Sequence, residues 1–374
     1  MERYFDSKPY KLIAMELKWT LELEQKPDFD KAMERIYAWY EQEIVDRPPI
    51  RFSAHNAEYA SSPHLKKNWP TLKDRWFDSE YQVDAYINSI KGRKFYAETF
   101  PIFCPNLGPE LYSALHGSEL EYQEVTSYSI PLIKEWGEIG KIKFDWGNPY
   151  LKKIDELTRL ALEKCTGKFM VGYTDLHPGM DCVAAWRDPQ ELCMDLLLYP
   201  EEVQKLSFLA NEHFQELFDY YDAILKKHNQ LSVAWMGIPS FGKMHIPGCD
   251  FSAMISDEQY LEFVHPVTID EVKPMTHNVY HLDGKGVARH IDHILEIEKI
   301  NAIQWVQGMG TDTPILQWIP LIKKIQAAGK SVVVDLQVDE LEDFIQALDP
   351  KGLLLCIAAD EKIQPEIIKR VEKW

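Results

Sequence analysis

The chain has 374 residues, of which 45% are hydrophobic, 27% are charged and 12% are aromatic. These fractions are typical of a folded globular protein and exclude a chain that is disordered throughout. The net charge of −18 argues against a nucleic-acid-binding protein and against attachment to an anionic membrane, because both depend on clustered basic side chains.

The cysteines and the N-terminal residues indicate a cytoplasmic protein. Six cysteines are scattered without a C-x-x-C pair, which argues against a disulfide framework and against a structural zinc knuckle. The N-terminal residues contain no uninterrupted apolar segment like that of a signal peptide, and no apolar run elsewhere approaches the length of a membrane span. We therefore expect a reducing compartment.

Short runs of β-branched and aromatic residues alternate along the chain with segments that have apolar residues at helical spacing. After a helical preamble at residues 1–45, the pattern predicts eight strands, at 49–56, 96–103, 168–174, 231–236, 279–283, 302–306, 331–336 and 353–358. Predicted helices include 200–225, 258–273, 315–328 and 340–348. The segments 57–95 and 104–165 are longer than simple crossovers, so we expect excursions there that shape a pocket.

Eight strand–helix units predict either a closed (β/α)8 barrel or a long doubly wound sheet. No G-x-G-x-x-G motif follows a predicted strand to mark the dinucleotide-binding crevice of a doubly wound sheet. No linker rich in Pro, Gly or Ser divides the chain. We therefore predict an α/β protein with a single (β/α)8 TIM barrel domain over residues 1–374, in which residues 1–45 form an N-terminal helical extension.

The most informative candidate site lies at the end of the fifth predicted strand, which reads Tyr280-His281-Leu282-Asp283-Gly284. His281 and Asp283 are two positions apart, so both side chains project from one face of a strand. Catalytic groups of a barrel come from the carboxyl ends of its strands. The pair can bind a metal or act as an acid/base pair. In the structural alternative, His281 packs near the rim and Asp283 caps the following helix.

Polar residues at other predicted strand ends are candidates for binding a substrate. They are His55, Asn106, Tyr173, Asp175, Trp235, Gln304 and Gln307. Asp250, in a loop after the fourth predicted strand, is a further catalytic candidate that would orient the substrate, or else a turn residue that bonds its own backbone. His290 and His293 lie one helical turn apart, but beside Arg289 and Asp292 they indicate a solvated helix face.

Several segments carry a family resemblance that extends over most of the chain. They are Asn106-Leu107-Gly108-Pro109, Leu115-His116-Gly117, Pro189-Gln190-Glu191-Leu192, the stretch from Asp250 to Glu258, and Tyr280-His281-Leu282-Asp283-Gly284. On these segments the chain resembles the uroporphyrinogen decarboxylase superfamily, a barrel superfamily that also includes cobalamin-related methyltransferases. The resemblance is more specific for the superfamily than for any one activity within it.

Two departures distinguish this chain from subgroups of that superfamily. The true decarboxylases carry an Arg-Gln-Ala-Gly-Arg-Tyr motif that holds the carboxylates of the tetrapyrrole, and the corresponding strand here, 51–56, lacks it. The methyltransferases hold zinc with a His-x-Cys pair and a later Cys. His281 matches the histidine, Asp283 stands where the first cysteine would be, and Cys356 approximately matches the second. The resemblance thus implies a metal site of His281, Asp283 and Cys356, with zinc as the expected ion.

The resemblance implies an enzyme that moves a methyl group between a small substrate and a corrinoid protein or a related acceptor. Two alternatives stay open: a decarboxylase or lyase for a smaller carboxylic acid, in which His281 handles the proton, and a non-catalytic protein that binds a tetrapyrrole or corrinoid. Expected partners are a small-molecule substrate, a corrinoid protein and, as one option, a second copy of the chain, with no nucleic acid and no membrane.

Overall fold

Strands and helices alternate through residues 21–53 and 67–374, the part of the chain that the computed structural model describes. The strands are β1 (Ile50–Ser53), β2 (Ile102–Phe103), β3 (Glu119–Tyr122), β4 (Ser127–Ile130), β5 (Met170–Val171), β6 (Met244–His245), β7 (His277–Asp283), β8 (Ala302–Val306), β9 (Ser331–Leu336) and β10 (Leu353–Ala358). The helices are α1 (Phe29–Tyr40), α2 (Leu72–Trp76), α3 (Ser79–Ile90), α4 (Leu111–Ala114), α5 (Pro149–Lys164), α6 (Gly179–Arg187), α7 (Pro189–Leu198), α8 (Pro200–Leu209), α9 (Phe214–Lys227), α10 (Asp257–Gln259), α11 (His265–Val272), α12 (Gly284–Ala288), α13 (Ile291–Glu296), α14 (Ile319–Ala327), α15 (Leu341–Ala347) and α16 (Gln364–Val371).

Six of these strands form one parallel sheet in the order β1-β10-β9-β8-β7-β6. Its central strands are buried on both faces, as shown by Val332, Val333 and Leu354, each of which is at most 1% exposed. Such continuous apolar runs are expected of parallel strands, because crossover helices cover the sheet. The carboxyl ends of the strands therefore meet at one edge, where polar side chains can gather.

Backbone hydrogen bonds extend this parallel arrangement beyond β1. The N–H of Glu98 donates to the carbonyl of Ile50 over 2.8 Å, and β2 pairs in parallel with β5. Just after β5, the N–H of Tyr173 donates to the carbonyl of Val233 over 3.0 Å. The predicted α/β class and a barrel-like succession of parallel segments are confirmed at this level.

The prediction of a regular strand over 231–236 is wrong. Ser232 makes an isolated antiparallel bridge with Ser240, and the chain turns back at Gly237, where φ is +71°. Glycine adopts this left-handed conformation without steric cost. The strand beside β7 is β6 instead. The second and third predicted strands shrink to the two residues of β2 and β5, and Ala97, with φ +51°, interrupts the extended backbone before β2.

The predicted excursion at 104–165 contains an antiparallel hairpin of β3 and β4. Gly108 allows this hairpin to pack closely against the segment that follows β2. A Cβ at this position would lie 1.7 Å from Oγ of Ser127. The Ser127 hydroxyl donates to the carbonyl of Leu107 over 2.8 Å. Glycine, with φ +107°, is thus the residue that permits this close approach.

Within the described part of the predicted helical preamble, residues 21–45, only Phe29–Tyr40 is helical and forms α1. It buries Phe29, Met33, Ile36 and Tyr40, whose spacing gives the helix one apolar face. The indole of Trp39 donates to the carbonyl of Val332 over 3.4 Å, so this helix packs against β9. None of the helices in the described ranges combines the length and apolarity that a bilayer span requires.

Candidate metal and substrate site

Three side chains that can bind a metal converge at the carboxyl end of β7. His281 lies in this strand and Asp283 ends it, so both side chains project from one face. Asp250 begins the 3-10 turn Asp250–Met254. One ligand atom of each residue, a carboxylate oxygen or an imidazole nitrogen, lies within 4.8 Å of the other two. Asp250 and Asp283 are exposed and His281 is half-buried, so a ligand can reach all three.

A close backbone approach brings the Asp250 loop beside β7. The N–H of His281 donates to the carbonyl of Pro247 over 2.8 Å, and Gly248 forms a parallel bridge with His281. A Cβ at Gly248 would lie 3.2 Å from Cβ of His281, which is tighter than an ordinary contact. Glycine at this position lets the chain pass the histidine before it turns into Asp250.

Asp181, in the first turn of α6, fixes the start of the 3-10 turn. Its two carboxylate oxygens accept the N–H groups of Asp250, over 3.0 Å, and of Phe251, over 2.9 Å. These donors have no partner within their own turn, so the carboxylate satisfies them as a capping residue does. Asp181 therefore sets the direction in which the Asp250 side chain leaves the backbone.

The ring of His281 is held by a hydrogen bond to Gln304 in β8. Nδ1 of His281 lies 2.7 Å from Oε1 of Gln304, and the parallel register places the two residues side by side. Because a carbonyl oxygen only accepts, Nδ1 donates the proton of this bond, and Nε2 is the ring nitrogen that can bind a metal. An orienting partner of this kind is typical of histidines that bind metals.

Trp235 connects His281 to a second polar pair. Its ring packs edge-on against His281 at a centroid distance of 5.4 Å. Its indole N–H donates to Oδ1 of Asp175 over 3.0 Å, and Oδ2 of Asp175 lies 2.9 Å from Nε2 of His177. Two of the predicted substrate-binding residues, Trp235 and Gln304, thus contact His281, and Asp175 is joined to it through Trp235.

Loss of solvation raises the pKa of three carboxyl groups in this region. The pKa of Asp250 is raised by loss of solvation and by the charge of Asp181, against the opposing effect of His281. The pKa of Asp283 is raised by loss of solvation and by Asp250. Burial also raises the pKa of Asp181. For Asp250 and Asp283 a neighbouring carboxylate adds to this effect, so a cation bound between these two groups would favour their ionised forms.

His177 has the opposite electrostatic environment. Burial lowers its pKa, but the charges of Asp175, Asp181 and Asp250 outweigh burial and raise the pKa to about 10. Burial likewise raises the pKa of Asp175, and His177 outweighs that effect, so the Asp175 pKa is lowered. At neutral pH the two residues form an ion pair of imidazolium and carboxylate.

Other predicted site residues serve their own loops or lie elsewhere. Asn106 is exposed and accepts a backbone N–H of its own turn over 2.7 Å. The buried Tyr173 donates its hydroxyl to a backbone carbonyl over 2.6 Å. The amide of Gln307 donates to two backbone carbonyls, both over 2.9 Å. His55 lies outside the described residues.

Cys356, the expected third metal ligand, is not in the ligand group found among the described residues. It lies in β10, where the register places it between Arg51 and Asp335. Burial raises the pKa of its thiol to about 12, although Arg51 opposes this shift, so the thiol stays protonated. In the described structure Asp250 occupies the third position beside His281 and Asp283.

The interpretation of His290 as part of a solvated face is wrong. This residue is fully buried and its ring stacks on Tyr260 at 4.5 Å. Its Nδ1 lies 2.5 Å from Oδ1 of Asp257, and its Nε2 lies 3.0 Å from the carbonyl of Ser252. His290 thus joins the 3-10 turn that contains Asp250 to Asp257, at the start of α10.

Two residues near the site, His177 and Asp181, were not selected from the sequence. Both follow the third predicted strand, after Asp175. His177 is two positions from Asp175, and Asp181 occupies the first turn of α6, where a carboxylate favours the helix. The strand-end rule that selected Asp175 would have found them if it had been extended into the start of the following helix.

A cavity of about 640 Å³ adjoins the ligand group through Asp250. This volume lies in the range of small-molecule sites. Its described lining comprises Pro109, Glu110, Ser113, Tyr128, Ser129, Pro131, His177, Asp181, Cys182, Ala184, Ala185, Asp188, Pro189, Asp250, Phe251 and Met254. The hairpin of β3 and β4, helix α6 and the 3-10 turn supply most of these residues, so the excursion predicted between β2 and β5 does shape a pocket.

The side chains at the end of β7 have the chemistry of a divalent metal site. Two carboxylates and one imidazole are accepted zinc ligands, and fewer protein ligands than four leave a position for substrate or water. The raised pKa values of Asp250 and Asp283 mark a place where a cation would be stabilising. The residues present therefore fit a zinc ion, with Nε2 of His281 as its nitrogen donor.

Comparisons with known proteins concern the fold. No protein-family model matches the chain, and no curated protein matches its sequence. A methyltransferase from Methanosarcina mazei matches in structure, with a TM-score of 0.60 over 91% of this chain and 98% of its own length, at 9% sequence identity. At this identity the likeness concerns architecture alone. The chain therefore has a methyltransferase-like fold.

Proposed function

We propose that this protein is a metal-dependent methyltransferase that moves a methyl group between a small substrate and a corrinoid carried by a partner protein. The observation that carries the proposal is the convergence of Asp250, His281 and Asp283 at the carboxyl end of β7. The architecture shared with a methyltransferase supports it. We further propose that the parallel segments close into an eight-stranded barrel of the uroporphyrinogen decarboxylase type.

In this proposal Asp250, His281 and Asp283 hold a zinc ion. The ion would act as a Lewis acid that binds a polar group of the substrate and so orients its methyl group for transfer. Gln304 keeps His281 in the tautomer with a free Nε2. The wall of the cavity near Asp250 positions the substrate, so that its methyl group faces the end of the sheet.

Metal analysis and a methyl-transfer assay test the proposal together. We expect the purified protein to bind about one zinc ion per chain and His281→Ala to lose both the metal and activity toward a methylated or reduced corrinoid protein. His228→Ala changes an exposed histidine outside the site and serves as the control. A metal-free protein whose activity survives His281→Ala would refute the proposal. Release of CO₂ from a carboxylic acid would favour a decarboxylase instead.

A further inference from the structure

The cavity beside Asp250 has a charge pattern that bears on the kind of substrate it admits. Its described lining contains four carboxylates, those of Glu110, Asp181, Asp188 and Asp250, but no lysine and no arginine. His177 is the basic residue of this lining, and its charge is matched by Asp175, which contributes no surface to the cavity. The lining is therefore negative overall and disfavours an anionic ligand.

The four carboxylates differ in how far the protein itself satisfies them. Asp181 accepts two backbone N–H groups, and Asp188 accepts those of Gln190 and Glu191 as the cap of α7. Asp250 belongs to the proposed metal site. Glu110 accepts one hydrogen bond, from the backbone N–H of Ser129 to Oε2. Its Oε1 has no hydrogen-bond partner in the described residues and remains available to a ligand.

The rest of the lining suits an apolar body. Pro109, Pro131, Pro189 and two alanines of α6 form part of the wall, and Met254 is 51% exposed. Two aromatic rings, Tyr128 and Phe251, also line the space. Aromatic faces attract organic cations whose charge is spread over methyl groups. Carboxylates, aromatic rings and apolar walls together match an organic cation better than a neutral or acidic compound.

We infer that this cavity binds a quaternary ammonium compound, which is the methyl donor of the reaction. The inference rests on the proposed function and deepens it by naming a substrate class. In the transfer, the bond between nitrogen and the methyl carbon breaks, and its electron pair stays on nitrogen, which becomes a neutral tertiary amine. The reduced corrinoid acceptor supplies the electron pair for the new bond to carbon. No proton is consumed, so no side chain of the cavity has to act as an acid.

Binding without turnover tests the inference. The probes are choline and its neutral isostere, in which a carbon atom replaces the ammonium nitrogen, and calorimetry with the full chain compares them. We expect choline to bind about tenfold more tightly, as an interaction of a desolvated cation with aromatic rings and carboxylates predicts. Equal affinities of the two probes, or no binding of either at millimolar concentration, would overturn the inference.

The variant Glu110→Gln tests whether the preference for choline over its neutral isostere arises in this cavity. It keeps the acceptor for the Ser129 N–H and removes one charge, so the preference for choline should fall about threefold or more. Glu163→Gln, an exposed residue of α5 outside the cavity, should keep the preference and serves as the matched control. An unchanged preference in Glu110→Gln would overturn the assignment of the cavity.

The two proposals fail separately. If choline is bound in preference to its isostere but no methyl group reaches a corrinoid protein, the proposed function fails and the cation site stands. If methyl transfer occurs from a neutral methyl ether and the isostere binds as well as choline, the proposed function stands and this inference fails.

Discussion

The orientation of one imidazole ring decides what His281 can do. Its Nδ1 donates to Gln304, while Trp235 packs against the ring edge-on. The ring therefore has one nitrogen committed to the protein and one left for a ligand. This division is what separates a metal-binding histidine from one that only packs at the rim.

Replacing Gln304 with methionine tests this role. Gln304→Met preserves side-chain length and removes the acceptor, so zinc affinity should fall about 10- to 100-fold, the usual effect of losing an orienting partner. Competition against a chromophoric chelator measures the change. Gln304→Glu keeps an acceptor and should retain more of the affinity than Gln304→Met. Equal affinities of wild type and Gln304→Met would show that the hydrogen bond does not orient the ring.

The Asp175–His177 pair predicts a pH dependence of stability. The pKa of His177 is about 10 in the folded protein, against about 6.5 in an unfolded chain, so the folded state binds a proton more tightly. The resulting stability is fully present below about pH 6.5 and is lost as the pH rises toward 10. His177→Gln should lower the free energy of unfolding at pH 6.5 by about 1–3 kcal/mol.

Denaturant unfolding of the metal-free protein from pH 6.5 to 10 measures this effect. The difference between wild type and His177→Gln should shrink as the pH increases, because the wild-type ring loses its proton over this range. A difference that stays constant across the range would mean that the pair contributes as a neutral hydrogen bond.

Among the secondary-structure elements, α6 and the 3-10 turn of Asp250 act together. Asp181 in the first turn of α6 binds two N–H groups of that turn, and His290 holds its other end through Ser252. Asp250 thus reaches β7 from a turn that is fixed at both ends. The proposed metal site depends on contacts between elements that are distant in sequence.

Two aspartate substitutions distinguish the positioning of Asp250 by Asp181 from the capping of a helix. Asp181→Ala and Asp188→Ala each remove a carboxylate that accepts two backbone N–H groups, so each should destabilise the protein by about 1–3 kcal/mol. Only Asp181→Ala should also lower zinc affinity, since it releases Asp250. Thermal unfolding and chelator competition supply the two measurements. Equal zinc affinities for the two variants would contradict the role given to Asp181.

The elements also show which parts of the site the sequence could predict. His281 and Asp283 were paired correctly on one face because a strand has a fixed period of two residues. The approach of Asp250 was not predicted as a ligand contact, because it depends on Gly248 passing beside His281. The pairing of His281 with Gln304 follows from the register of β7 and β8, which periodicity does not encode.

In the molecule as a whole, the alternation of strands and helices could be predicted from the sequence because parallel strands are continuous apolar runs. The strand prediction failed at 231–236, where the chain reverses direction at Gly237 and Ser232 forms an antiparallel bridge with Ser240. Hydrophobicity reports burial, and a buried turn has the same apolar residues as a buried strand. The predicted fold class was therefore more secure than the individual strands.

Binding of the proposed metal should stabilise the fold, because its ligands join β7, which carries His281 and Asp283, to the start of the β6–β7 connection, which carries Asp250. At a free zinc concentration of 100 times the dissociation constant, the linkage relation gives about 2.7 kcal/mol. Adding a chelator should lower the melting temperature of wild type and leave that of His281→Ala unchanged. An identical response of the two proteins would argue against zinc at this place.

The hairpin of β3 and β4 allows the choice of ligand to change independently of the proposed metal ligands. Its side chains line the cavity, whereas Asp250, His281 and Asp283 come from the region of β6 and β7. Insertions or exchanges in the hairpin should therefore alter which molecule is admitted without moving a proposed metal ligand. In the proposed enzyme, a different hairpin on the same sheet should keep the reaction and change its substrate, so grafted hairpins offer a direct route to new specificities.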